Sequence, residues 1–148
     1  MTRNKDHREG FEKIERSKQC LYGPRKLLLC GFSASAQNKF KSLLGILGLE
    51  GVPLVWVTRD EAEKLMKELF SQVHGSGAGK DSGLPRAIIA GGITQQELHR
   101  LMSGCRQGGM QQSLWAALTP TSEDWTLSQL LAALVAEAKA MAGKKRKK

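Results

Sequence analysis

Cysteine is scarce in this chain of 148 residues: Cys20, Cys30 and Cys105 are the three, and none belongs to a C-x-x-C pair. An odd count with no paired spacing argues against a disulfide framework. His7, His74 and His99 fall in an arm, a loop and a helix, so cysteine and histidine together give no zinc pattern. The reading that follows is a reduced, cytoplasmic protein with buried thiols, no metal and no cofactor. Aromatic residues make up only 5% of the chain, so aliphatic side chains must fill the core. No stretch approaches the ~18 consecutive apolar residues that would span a bilayer, and the charged N-terminus has no apolar run of the secretory kind. Catalytic signatures are also missing. No serine lies in G-x-S-x-G, and no membrane, RNA-platform or helix-turn-helix signature is present.

Positive charge is plentiful but displaced to the ends. The net charge is +9, yet residues 27–143 carry ten basic and ten acidic residues and are neutral. The excess lies in residues 1–26 and in Lys144, Lys145, Arg146, Lys147 and Lys148. The chain divides into a charged arm (1–25), one α/β domain (26–142) and a basic tail (143–148). Within the arm, Phe11 and Ile14 are apolar at helical spacing, which allows a short helix around Gly10–Ser17. The tail suits an acidic partner or nucleic-acid phosphates, bound non-specifically through counterion release, and it equally suits a solvated end.

The domain alternates between two periods. Lys26–Gly31, Val52–Val57, Arg86–Ala90 and Ser113–Leu118 are short apolar runs of the kind that form buried strands, with Pro53 marking an edge. Between them, Ala36, Phe40, Leu43, Leu44 and Leu47 make one helical stripe, and Leu98, Leu101, Met102 and Cys105 make another. Asp60 with Glu63 opens a helix expected to bury Ala62, Leu65, Met66, Leu69 and Val73. Thr94 with Glu97, and Thr126 with Gln129, form capping boxes. Strand and helix alternate four times, which predicts an α/β fold. Its sheet has four mostly parallel strands in the order 2-1-3-4, with helices on both faces. No internal sequence repeat is apparent.

Three motifs could carry a ligand. Gly75–Ser82 resembles a phosphate loop but fails the pattern, with His74 at its first glycine position and Asp81 after Lys80. It reads as a flexible connector. Gly91-Gly92-Ile93-Thr94 runs from a strand into a helix N-terminus, where free amides attract anions. The same glycines also suit a tight turn before a capped helix. Thr119, Thr121, Ser122, Glu123, Asp124 and Trp125 follow the fourth strand. They read either as a polar loop at the sheet's carboxyl edge, where open α/β sheets bind ligands, or as the start of a helix pinned by Pro120 and Trp125. A site between Ser33, Thr58–Asp60, Gly91–Thr94 and Thr119–Trp125 is the corresponding expectation. The ligand candidates are therefore Gly91, Gly92, Thr94, Thr119, Thr121, Ser122 and Trp125, with no catalytic residue assigned.

Four stretches together resemble the bacterial family called domain of unknown function 3783. They are Tyr22–Phe32, Pro85–Thr94, Glu97–Met102 and the segment Leu114-Trp-Ala-Ala-Leu-Thr-Pro-Thr-Ser-Glu-Asp-Trp125. The resemblance covers roughly residues 22–138. It implies a small bacterial cytosolic α/β protein and no activity, since the family carries no assigned catalytic residues. The functional expectation is a non-enzymatic binding or accessory domain. The alternatives are a small-molecule or anion site, catalytic or not, at the carboxyl edge, and non-specific nucleic-acid association through the basic tails.

Overall fold

A run of four apolar residues needs cover on both faces of a strand. In the computed structural model, which describes residues 19–146, Leu27 to Cys30 are all buried at the centre of β1 (Lys26–Cys30). The arm up to residue 18, with the helix expected around Gly10–Ser17, lies outside the described residues, as do Lys147 and Lys148. The chain continues through α1 (Ala34–Leu47), β2 (Leu54–Val57), α2 (Met66–Phe70), β3 (Ala87–Gly91), α3 (Gln95–Gln107), β4 (Leu114–Ala117) and α4 (Leu127–Arg146). Thus the backbone of Lys144, Lys145 and Arg146 continues the last helix. Among the described residues no helix is long and apolar enough to cross a membrane.

The strand order is β2-β1-β3-β4, as the alternation of elements predicts. β1 pairs with β2, and β3 with β4, in parallel, but the central β1–β3 pair is antiparallel, with Leu28 opposite Ile89. The sheet is mostly parallel as expected, with two of its three pairings parallel, and the exception lies at its centre. The cause is the Gly/Ser-rich stretch after α2. It is not a loose connector but a return pass along the outer edge of β2. Gly75 N donates to Leu54 O (2.8 Å) and Trp56 N to Ser76 O (2.9 Å). Leu54 N donates to His74 Nδ1 (2.9 Å), and Ser82 Oγ to Val57 O (2.8 Å). The chain therefore re-enters the sheet from the end at which β2 left it, and β3 must run the other way.

Alternation along the strands gives two cores. Leu27, Leu29, Trp56, Ile88 and Ala90 meet Phe40 and Leu44 of α1 and Leu101 and Cys105 of α3 on one face. Leu28, Cys30, Val55 and Ile89 meet Met66, Leu69 and Phe70 of α2 and Leu127, Leu130 and Leu131 of α4 on the other. Each such side chain contributes about 1.5–3 kcal/mol of burial. The helix expected from Asp60 is broken in two. A 3-10 turn spans Arg59–Glu61, α2 begins only at Met66, and Val73 is exposed. Residues 62–66 are diverted into bonds with the start of α4: Met66 N to Trp125 O (2.8 Å), Leu127 N to Lys64 O (3.1 Å) and Ser128 N to Ala62 O (2.8 Å).

Those bonds lie on an approximate two-fold axis, along which the chain is built twice. Each half runs strand, helix, strand, 3-10 turn, helix, and the strand pairings and helix starts match at an offset of 61 positions, the 3-10 turns (Arg59–Glu61 and Ser122–Asp124) falling two residues out of step. Pro24-Arg25 corresponds to Pro85-Arg86, Gly31 to Gly92, Ser33 to Thr94, Phe40 to Leu101, Thr58 to Thr119 and Met66 to Leu127. Leu65 and Thr126, also equivalent, form an antiparallel bridge with each other. The register obeys the same rule, since Leu27 faces Ala90 just as Leu29 faces Ile88. Ser33 and Thr94 each cap their helix, accepting from Ala36 N and Glu97 N. The absence of an apparent repeat in the sequence is thereby corrected: apolar exchanges had hidden it, because a two-faced core needs hydrophobic volume rather than identity.

Candidate anion site

Reversal of the sheet direction divides the expected site. Ser33 and Thr58–Asp60 follow β1 and β2 at one end of the sheet, whereas Gly91–Thr94 and Thr119–Trp125 follow β3 and β4 at the opposite end. At the latter end, the polar groups bond one another. Thr94 Oγ1 accepts from Glu97 N (3.0 Å) and Glu97 Oε1 accepts from Thr94 N (2.9 Å). Both carboxylate oxygens of Glu97 also take the guanidinium of Arg25, at 2.7 and 2.6 Å. That pairing holds the Glu97 carboxyl at about 2. Gly91 and Gly92 lie against Pro24 and Arg25. Thr119 and Ser122 close a ring, with Ser122 N donating to Thr119 Oγ1 (2.9 Å) and Thr119 N to Ser122 Oγ (3.0 Å). Tyr22 OH donates to Glu123 Oε2 (2.9 Å), and Lys67 pairs with Asp124 (3.0 Å). Thr121 is exposed, and Trp125 is 37% exposed rather than packed beneath the loop.

The other end is unfinished. By the pseudo-two-fold, Arg86 at the N-terminal end of β3 is the counterpart of Arg25, and α1 is the counterpart of α3. The position equivalent to Glu97 is Ala36. The first turn of α1 contains no acidic residue, and Arg86 forms no ion pair among the described residues. Its guanidinium stacks on the Phe32 ring, 3.7 Å from the centroid, while its Nε is buried with no hydrogen-bond acceptor. A buried donor without an acceptor forfeits about 1–3 kcal/mol. Burial lowers the pKa of Arg86 from its ordinary value, though arginine stays a cation in any such setting.

Around Arg86 is a cavity of about 320 Å³ lined by Ser33, Ser35, Ala36, Lys39, Met110 and Gln111. Asp81 is the nearby acid. Its Oδ1 accepts from Ala34 N (3.0 Å), and its loop is held by Gln37, which donates to Lys80 O (2.9 Å) and accepts from Gly79 N (2.7 Å). Met110 and Gln111 also line a second cavity, of about 470 Å³, with Met102, Cys105, Arg106 and Trp115 among its walls. Burial raises the pKa of the Cys105 thiol, so it is not an activated nucleophile. A third groove, beneath α4 at Leu84, Pro85, Leu131 and Val135, is apolar with Lys139 at its rim, and it gathers no set of converging polar groups. No group of three His, Cys, Asp or Glu residues converges among the described residues.

Sequence reasoning found Ser33 but missed Arg86, Lys39, Met110, Gln111 and Trp115. The available signal was the Pro-Arg pair standing before both strands, once with a Glu three residues after the following helix cap and once without.

No curated protein and no solved structure matches the chain. Residues 86–141 match the model of a family described as Domain of unknown function (DUF3783). The matched segment runs from Arg86 into α4, which is the second of the two structural halves. The similarity to that family is thus confined to this second half of the chain.

Proposed function

We propose that this protein is a non-enzymatic binding domain whose ligand carries a negative charge and docks at Arg86, at the carboxyl end of β1. The observation that supports the reading is internal. Arg25 holds the carboxylate of Glu97, whereas its structural twin Arg86 holds none among the described residues, and Ala36 stands where the equivalent acid would be. Lys39 and the two serine hydroxyls add donors around the same cavity. A catalytic role finds less support. Ser33 Oγ is engaged by Ala36 N (3.2 Å) and by Ser35 Oγ (3.2 Å), and no histidine or carboxylate lines either cavity to act as a base.

Titration of isotope-labelled protein with sodium acetate, against sodium chloride as the ionic-strength control, tests this reading. The Arg86 Nε–H resonance and the Ser33 and Ser35 amides are expected to shift and saturate with acetate in the wild type and not in Arg86→Gln. Equal responses to acetate and chloride, or an unchanged response in Arg86→Gln, would overturn it.

A further inference from the structure

We infer that the ligand is a small apolar carboxylic acid, its carboxylate occupying the place that Glu97 fills in the other half of the molecule and its body lying in the adjoining cavity. The inference rests on the anion-binding reading and adds the chemical class. Three observations carry it.

The first is the internal comparison, which supplies a geometry as well as a charge. At the equivalent position a planar, two-oxygen group meets Arg25 through two parallel bonds while one of its oxygens accepts the helix-cap amide of Thr94. Arginine's planar fork suits that group. The second is the charge balance at Arg86. The Asp81 carboxylate already sits on the amide of Ala34, next to the Ser33 cap. A single negative charge is matched by Arg86 and Lys39 there, whereas a phosphate dianion adds repulsion from Asp81.

The third observation is the adjoining cavity, whose walls differ from the equivalent place in the first half. Leu49 and Val52 are buried in the core, and their equivalents are Met110 and Ser113, both on the cavity wall. The return pass that covers the edge of β2 has no counterpart beside β4, which pairs only with β3 among the described residues. The space that results, about 470 Å³, has Met102, Met110 and Trp115 as apolar walls. Its wall shares Met110 and Gln111 with the Arg86 cavity. Arg106 on its rim is exposed and can stack on a ring. A carboxylate attached to an aromatic or branched aliphatic body of a few carbons spans the two compartments.

The test compares three probes, 3-phenylpropionate, acetate and 3-phenylpropan-1-ol, on the wild type, Ala36→Glu and Arg86→Gln. Binding is followed by calorimetry and by tryptophan fluorescence in a Trp125→Phe background. Phenylpropionate is expected to bind the wild type at least tenfold more tightly than acetate, and the neutral alcohol at least tenfold more weakly than phenylpropionate. Ala36→Glu rebuilds the missing acid. It is expected to raise the melting temperature and to weaken phenylpropionate at least tenfold, as is Arg86→Gln without the thermal gain. Wild-type affinity in Ala36→Glu would overturn the assigned carboxylate position. Equal affinity for acetate and phenylpropionate would overturn the apolar body while leaving the anion site standing. Failure of both acids to respond to Arg86→Gln would remove the anion-binding reading itself.

Discussion

Replacing Gly92 with alanine separates a structural glycine from a ligand-facing one. Gly92 has φ +66°, and a Cβ on it would overlap the backbone nitrogen of Arg25. Two costs follow. Placing an L-residue in the left-handed region costs roughly 1–2 kcal/mol. The overlap is with backbone, so Pro24–Arg25 must move, which weakens the bond from Gly92 N to Tyr22 O (3.3 Å) and tilts Arg25 away from Glu97. Losing one such hydrogen bond and part of an ion pair adds roughly 1–2 kcal/mol. The expected destabilisation is about 3 kcal/mol. Gly79 is the control, because its φ is +84° but its Cβ would meet nothing within 4 Å. Gly79→Ala should therefore cost only the conformational term, about 1 kcal/mol. Gly31, the pseudo-symmetric twin of Gly92, has φ +77°, and its Cβ would stand 2.7 Å from Arg86 N. Gly31→Ala should behave like Gly92→Ala. Urea denaturation of the three variants, with m-values checked for constancy, measures all of this. Equal midpoints for Gly92→Ala and Gly79→Ala would refute the close-approach argument. A mild Gly31→Ala beside a severe Gly92→Ala would refute the equivalence of the two halves.

Acid sensitivity should trace to Glu97. Its carboxyl lies at about 2 in the folded chain against an ordinary 4.5, so its contribution is complete above about 4.5 and is lost as pH falls from there towards about 2. The full shift corresponds to about 3 kcal/mol. The Arg25 side chain is 47% exposed, and screening cuts the contribution to about 1–2 kcal/mol. Glu97→Gln should flatten the stability curve across that window, and a curve parallel to the wild type would refute the assignment. Alanine variants of Trp56 and Trp125 should differ in denaturant midpoint. Trp56 is 3% exposed and meets Phe32 and Phe40 edge-on at 5.6 and 6.1 Å, so its alanine variant should cost about 3–5 kcal/mol. Trp125, at 37% exposure, should cost about 2 kcal/mol. A Trp125→Ala cost equal to that of Trp56→Ala would show that the loop depends on it.

Strand positions and order were legible because they follow from local rules. Leu27–Cys30 and Ala87–Ala90 are too apolar to lie anywhere but the middle of a covered sheet, and Pro53 belongs on an edge. Direction was not legible, because it depends on where residues 74–82 run. The features that hold that segment to β2 are single contacts between parts of the chain distant in sequence: His74 Nδ1 to Leu54 N, and Gly77 pressed on the Trp56 carbonyl. Composition makes such a stretch look like a solvated linker. The broken helix after Asp60 has the same origin. Leu65, Met66 and Leu69 have helical spacing, but the bridge between Leu65 and Thr126 overrides propensity with hydrogen bonds to another part of the chain.

The candidate site was hidden for a related reason. In a sheet whose strands all run one way, every strand-end loop converges, and Gly91–Thr94 and Thr119–Trp125 would face Ser33. With β3 and β4 reversed, each end of the sheet receives the loops after one half's strands and the Pro-Arg segment that leads into the other half. Each end thus holds one helix cap, from Ser33 or Thr94, and one arginine, from Arg86 or Arg25. A duplicated architecture needs both ends to be neutralised, and Glu97 accomplishes this at one of them with the third residue of its helix. At the other, Ala36 supplies no carboxylate for the terminal nitrogens of the Arg86 guanidinium, and separately its Nε is buried without an acceptor among the described residues, which costs stability. Selection for folding alone would favour an acid at position 36, since it would complete a capping box and an ion pair together. An alanine there, beside a cavity walled by Met110 and Ser113 where the matching half buries Leu49 and Val52, is the sequence choice on which the proposed carboxylate site rests.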